Sequence, residues 1–136
     1  MSISAPASDY GRQTIQLEIP MRYLCLVYFE PETLEALSPA EGAELTRKSL
    51  AYDERLRQSG HYVHSNALQS IDNATTVRVR NGKISTTDGP FAETKETLGG
   101  FILIEARDLD DAIKAAAGIP IARLGSIEVR PVLELK

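Results

Sequence analysis

The sequence predicts an α+β domain in which one antiparallel sheet carries two helices on one face. Three observations predict this class. Apolar runs of strand length alternate with two helical segments, each helical segment opens on a capping residue, and an Asn-Gly pair marks a hairpin. The chain has 136 residues, 43% of them hydrophobic, which suits one domain with its own core. The expected order is β-α-β-β-loop-β-α-β.

The first strand and the first helix carry clear local signals. The run RYLCLVYF (22–29) is rich in aromatic and branched residues and is apolar on both faces, as a buried strand is. The next helix has Ser38 as its N-cap, Pro39 at the first helical position and Glu41 at the capping-box position. Gly60 is expected to end this helix. Its apolar stripe comprises Leu45, Tyr52 and Leu56, with Ser49 between them.

The middle of the chain is predicted to form strands and a hairpin. HYVHSNALQS (61–70) is a strand, and ATTVRVR (74–80) alternates between apolar and polar residues at its end. The Asn-Gly pair in RNGK (80–83) is the strongest short-range hairpin signal. We interpret the polar stretch TTDGPFAETKETLGGF (86–101) as a loop, because its Asp-Gly-Pro sequence has turn chemistry.

The last part of the chain is predicted to be a strand, a helix and a strand. GFILIEA (100–106) is apolar on both faces, Asp108 caps the helix, and Gly118 ends it. SIEVRPVLEL (126–135) is the closing strand. The apolar face of this second helix is predicted to comprise Leu109, Ala112, Ile113 and Ala116.

The pattern of the two central strands predicts a homodimer. Two helices cover one face of the sheet, yet strands 22–29 and 100–104 are apolar on both faces. The second face needs a cover that the remaining sequence does not supply. We therefore expect two subunits to pack sheet against sheet.

Residues 1–20 differ from the rest of the chain. The first eight are small and polar and are expected to be disordered, while TIQLEI (14–19) alternates and suggests an extra edge strand. We place the domain proper at residues 21–136, after an N-terminal appendage.

Composition excludes several classes of function. The net charge of -4 is negative, whereas proteins that bind nucleic acid usually carry an excess of positive charge. No apolar stretch approaches the ~20 residues that cross a membrane. Cys25 is the single cysteine, lies in an apolar run and is expected to be inert, which fits a reducing cytoplasm. His61 and His64 lack a third ligand nearby, so neither a metal site nor a cofactor is predicted.

The segments DGPFAETKE and LGGF, followed by IEA and DLDDA at the start of a helix and by a terminal EVRPV, resemble the DGPF group of YCII-related proteins. The resemblance covers residues 21–135. It implies a ferredoxin-like fold and a dimeric α+β barrel. Some YCII relatives are lyase-like enzymes that act on chlorinated hydroquinones with a His–Asp pair. DGPF proteins are often encoded near sigma factors, or fused to them.

The resemblance makes Asp88 the counterpart of the acidic site residue of the family. The histidine of YCII proteins would fall near Ser49, and the predicted first helix contains no histidine. His64 could reach Asp88 only if the second strand runs beside the loop. For Asp88, the alternatives are a general acid or base and an Asx-turn acceptor.

Two classes of function stay open from the sequence. In the first, the protein is a small-molecule enzyme or binder whose pocket lies between the sheet and the first helix, with Asp88 at its mouth. In the second, it is a transcription-linked interaction module whose partner is a sigma factor. For Ser49 and Tyr52 the alternative is core packing, and for Glu93 and Lys95 it is a solvated ion cluster. The candidate ligand-binding residues are Ser49, Tyr52, His64, Gly89, Phe91, Glu93 and Lys95.

Overall fold

A computed structural model describes residues 2–3, 17–18 and 20–135 of the chain. Its strands are β1 (Ser2–Ile3), β2 (Leu17–Glu18), β3 (Met21–Phe29), β4 (Tyr62–Ala67), β5 (Thr75–Arg80), β6 (Lys83–Asp88), β7 (Thr97–Ala106) and β8 (Ser126–Pro131). Its α-helices are α1 (Pro31–Glu35), α2 (Pro39–Gln58) and α3 (Leu109–Ala117). Single 3₁₀ turns occur at Ile71–Asn73 and Pro120–Arg123.

The main sheet has four antiparallel strands in the order β4-β7-β3-β8. Together with α2 and α3 they follow the β-α-β-β-α-β order of a ferredoxin-like domain. The predicted α+β class is confirmed. Within the described part of the chain, no helix is both long and apolar enough to cross a membrane.

Both long helices begin where their caps were predicted. At α2, the Glu41 N–H donates to Ser38 Oγ at 3.1 Å and the Ser38 N–H donates to Glu41 Oε1 at 2.8 Å, which completes a capping box. At α3, the Asp111 N–H donates to Asp108 Oδ1 at 2.9 Å. These interactions satisfy backbone donors that a helix N-terminus leaves free.

The core lies between the helices and one face of the sheet. It is built from alternate residues of β3 and β7, from Leu56 of α2 and from three alanines of α3. Burial raises the pKa of Cys25 to about 11, so this thiol stays protonated. The central core residues are Tyr23, Cys25, Ile102, Ile104, Leu56, Ala112, Ala115 and Ala116.

The buried face of α3 differs from the predicted one. Leu109 and Ile113 were expected to face the core, but they are 51% and 48% exposed. Ala115 is buried instead, together with Ala112 and Ala116. Small side chains let α3 lie close to the sheet, and its larger residues flank the contact.

The other face of the two central strands, β3 and β7, is also apolar, as the sequence predicted. In the ladder, Leu24 is paired with Leu103 and Leu26 with Phe101, one residue out of phase with the core positions Tyr23 and Cys25. Alternation therefore directs these four side chains away from the helices. We call the set Leu24, Leu26, Phe101 and Leu103 the open face; its members are half-buried.

The hairpin stands apart from the main sheet. The sequence predicted one sheet, whereas β5 and β6 pair only with each other, in a separate ribbon. Asn81 and Gly82 have φ values of 52° and 76°, as a tight Asn-Gly turn requires. The predicted loop is also shorter, because β6 extends to Asp88 and β7 begins at Thr97.

The N-terminal predictions fall mostly outside the described residues. Ser2–Ile3 pairs antiparallel with Leu17–Glu18 in a ladder separate from the main sheet. The remaining residues of the predicted disordered segment and of TIQLEI lie outside the described ranges.

Candidate functional site

A cleft of about 840 Å³ opens where the polar loop returns to the sheet. Four segments that are distant in the sequence form its walls: the end of β3, the connection from β4 to β5, the loop before β7 and the start of β7. We call it the loop cleft. Its wall residues are Tyr28, Leu68, Gln69, Ser70, Ile71, Asn73, Ala74, Thr75, Thr76, Pro90, Phe91, Ala92, Thr94, Thr97 and Leu98.

The Asp-Gly-Pro turn ties the loop to the cleft wall. The N–H of Gly89 donates to the carbonyl of Ala74 at 2.8 Å, and the Gly89 carbonyl accepts from the Thr76 hydroxyl at 2.8 Å. Gly89 has a φ of 100°, which glycine adopts far more readily than other residues. The positive φ predicted at this glycine is therefore present, and the two hydrogen bonds of Gly89 hold the chain just before the wall residues Pro90 and Phe91.

Phe91 lies in the wall and is nevertheless 81% exposed. An aromatic ring held this far into solvent lacks the apolar contacts that normally stabilise it. Among the predicted ligand-binding residues, Phe91 is the one whose side chain the structure brings to the loop cleft.

The floor of the loop cleft depends on a bulge in β7. The register shifts between Val27 and Tyr28, so that Tyr28 pairs with Leu98 and Gly99 is the extra residue. A Cβ at Gly99 would collide with the ring of Phe29, so any other residue here would require that ring to move. The bulge therefore lies beside Tyr28 and Leu98, which both line the cleft.

The charged residues of the loop lie outside the cleft wall. Asp88 ends β6, is exposed and pairs with the wall residue Thr75 across the hairpin. Glu93 is exposed, and Lys95 makes an ion pair of 3.6 Å with Glu30 while its own side chain stays 84% exposed. Such a solvated pair is worth little energy.

Ser49 and Tyr52 lie on α2, on the opposite side of the sheet from the open face. The Tyr52 hydroxyl donates to the carbonyl of Ala115 at 2.6 Å, which links α2 to α3, and burial raises the pKa of Tyr52. Ser49 is half-buried. The space between α2 and the sheet is filled by core side chains, and the loop cleft lies elsewhere.

His64 is on β4, level with Leu103 of the open face. Its Nε2 lies 2.8 Å from Asn66 Nδ2, and its ring is 6.1 Å from that of Phe101. No hydrogen bond or ion pair between described residues joins His64 to Asp88. In the same ranges, no group of three His, Cys, Asp or Glu side chains could hold a metal ion.

Sequence reasoning missed a polar cluster around His61. Its Nδ1 lies 2.7 Å from Ser59 Oγ, and its Nε2 lies 3.0 Å from Asp111 Oδ2. Asp111 also accepts from the Arg107 N–H at 3.1 Å. Ser59 and His61 follow α2, whereas Asp111 lies in the first turn of α3, so only the fold brings them together. The sequence analysis considered His61 only as a possible metal ligand, because Asp111 is 50 residues away in the sequence.

These features define a small ferredoxin-like α+β protein with a ligand-sized cleft beside the strand ends. The profile of the YCII-related domain matches residues 21–136. An uncharacterised protein of Rhizobium meliloti (strain 1021) is 35% identical over 114 residues, which cover 82% of this chain and 92% of the relative. The chain belongs to the YCII-related family.

Proposed function

We propose that this protein binds a small organic molecule in the loop cleft, as a binder or as an enzyme. The observation that carries the proposal is the cleft itself. Its volume of about 840 Å³ falls within the size range of small-molecule pockets, and its wall combines apolar residues with scattered hydroxyls and amides. The exposed ring of Phe91 at this wall is a further contact surface for a ligand.

Within the family, the proposal assigns the chain to the DGPF group and puts Asp88 at the mouth of the cleft. The sequence DGPFAETKE supports the assignment. Asp88 is the cross-strand partner of Thr75, a wall residue, and directly precedes Gly89, whose two hydrogen bonds hold the wall. At the mouth, a carboxylate would accept a charge-assisted hydrogen bond from a ligand donor.

The working unit in this proposal is a homodimer that forms an α+β barrel. The open face supports it, because four large apolar side chains point away from the core of their own subunit. Packing sheet against sheet would remove this surface from water in both copies at once.

A thermal-shift screen of phenols, hydroquinones and small organic acids tests the binding proposal. We expect a hit whose stabilisation is lost in Phe91→Ala, a change that removes an exposed ring and leaves the core intact. We also expect Asp88→Asn to fold normally and to bind the hit about fivefold more weakly, because a neutral amide accepts a weaker hydrogen bond.

Asp110→Asn is the matched control for Asp88→Asn. It makes the same change at an exposed carboxylate on α3, outside the loop cleft, and should leave binding of the hit unchanged. Binding unchanged in Asp88→Asn would reduce Asp88 to a turn residue. Binding unchanged in Phe91→Ala would remove the loop cleft as the site.

An interaction module with a sigma factor as partner is the second candidate, and one surface favours it. The hairpin exposes Val77, Val79 and Ile84 on one face, with Val79 and Ile84 directly paired. Exposed apolar patches often mark interaction sites. Sedimentation of the protein with a purified sigma factor from the same organism would give a joint species that Ile84→Asp abolishes; separate boundaries would argue against this candidate.

A further inference from the structure

We infer that the ligand of the loop cleft is an uncharged, largely apolar molecule that carries a hydrogen-bond donor. The inference rests on the proposed function and names the ligand class of that site. Two features carry it: the absence of charge from the wall, and the hydroxyl lone pairs that the wall leaves free for a ligand.

The first feature is the charge of the wall. A quarter of the chain is charged, yet none of the fifteen described wall residues is Asp, Glu, Lys, Arg or His. An ion that enters a partly enclosed site loses hydration, and this cost is recovered only through a counter-charge or several hydrogen bonds. The wall offers no counter-charge of either sign.

Four charged side chains flank the wall in this loop: the carboxylates Asp88 and Glu93 are exposed, whereas Lys95 and Glu96 have partners of their own. Lys95 pairs with Glu30, and Glu96 accepts from the Ser126 hydroxyl at 2.8 Å. Neither Lys95 nor Glu96 contributes to the wall. A bound anion would therefore have to break an existing interaction to obtain a cation.

The second feature is the direction of the wall hydrogen bonds. Of the six wall hydroxyls, three donate their only proton to backbone carbonyls: Thr76 to Gly89 at 2.8 Å, Thr94 to Glu96 at 2.6 Å and Thr97 to Phe29 at 3.4 Å. A hydroxyl has one donor and two acceptor lone pairs. Oxygen lone pairs of these three residues remain for a ligand, while their donors do not.

The two wall amides bond to each other. Asn73 Nδ2 donates to Gln69 Oε1 at 3.1 Å, which uses one of the amide protons of Asn73 within the wall. An oxyanion needs several donors to replace its water shell. A wall without charge favours a neutral molecule, and the free hydroxyl lone pairs can accept a hydrogen bond from an N–H or O–H group of that molecule.

Two dyes with the same ring skeleton separate charge from shape. N-phenyl-1-naphthylamine is neutral and has one N–H donor, and 8-anilino-1-naphthalenesulfonate adds a sulfonate to the same rings. In fluorescence titrations we expect the neutral dye to saturate at one molecule per chain. We expect the sulfonate to bind at least about tenfold more weakly, because its charge meets no partner.

Substitutions at the wall residue Ala92 locate the binding. Ala92 is exposed, so the domain should fold with a larger side chain there. We expect Ala92→Glu to weaken the neutral dye about tenfold and Ala92→Gln, of nearly the same shape, to weaken it much less. Ala51→Glu, on the exposed surface of α2, should leave binding unchanged.

The outcomes distinguish the two proposals. If the sulfonate binds as tightly as the neutral dye and both lose affinity in Ala92→Glu and Ala92→Gln alike, the cleft binds ligands but does not select neutral ones. If neither dye saturates, or if the neutral dye binds the Ala92 variants as it binds the wild type, the loop cleft fails as a site and the inference fails with it.

Discussion

At the scale of single residues, Asp111 ties the end of α2 to the start of α3. Burial raises the pKa of Asp111, but hydrogen bonds from the Arg107 backbone, the His61 ring and the Arg107 side chain outweigh burial, so the net shift is downward. The carboxylate is thus better stabilised in the folded chain than in the unfolded one. A group of this kind contributes stability when it is ionised.

This contribution predicts a specific pH dependence. It is fully present above the unfolded-state pKa of about 3.9 and is lost as pH falls through the lower folded-state pKa. We expect Asp111→Asn to lower the free energy of unfolding at pH 7 by about 1–2 kcal/mol, since hydrogen bonds to a charged acceptor are lost. Urea unfolding at pH 7 and pH 2.5 measures the free energy of unfolding of both proteins. The difference between wild type and variant should be smaller at pH 2.5.

The neighbouring change Asp110→Asn is the control, because Asp110 is exposed and lies outside this cluster. A gap for Asp111→Asn that is equally large at both pH values would mean that packing, rather than the ionised carboxylate, carries the effect.

At the scale of elements, the loop before β7 depends on the backbone of Gly89. A Cβ at Gly89 would meet no atom within 4 Å, so its φ of 100° is the sole obstacle to a side chain. We expect Gly89→Ala to lower stability by about 1–2 kcal/mol or to shift the loop. If the loop shifts, the Phe91 ring moves relative to the rest of the wall, and ligand affinity falls.

Gly42→Ala is the matched control for this prediction. Gly42 lies inside α2 with open space around it and an ordinary helical φ, so alanine should raise stability by about 0.5–1 kcal/mol. Thermal unfolding of both variants gives the comparison. If both glycines respond alike, positive φ is not what makes Gly89 necessary.

The elements themselves were largely predictable, and the site was not. The capping box at Ser38, the cap at Asp108 and the Asn-Gly turn each involve residues within four positions, so the sequence displays them directly. The loop cleft joins Tyr28 to residues around 70, 91 and 98. The shape of the loop cleft depends on a bulge at Gly99 and on a hairpin that is separate from the main sheet. The apolar periodicity of the sequence indicates neither feature.

At the scale of the whole molecule, the open face remains to be accounted for. Leu24 lies between Leu103 of β7 and Arg130 of β8 in the ladder, near the middle of the sheet. Its half-buried side chain belongs to an apolar surface that the helices of the same chain do not cover. If two subunits pack open face on open face, the residue at position 24 should decide whether the protein is a monomer or a dimer.

We expect sedimentation at micromolar concentration to give a two-chain mass for the wild type and a one-chain mass for Leu24→Lys. An ammonium group trapped between two sheets would be desolvated without a partner, at a cost of several kcal/mol. The subunit should keep its fold, because Leu24 points away from the core. Leu50→Lys makes the same chemical change at a side chain that is 65% exposed on α2, and it should leave the dimer intact. A one-chain mass for the wild type even at high concentration, or a two-chain mass for folded Leu24→Lys, would contradict the dimer.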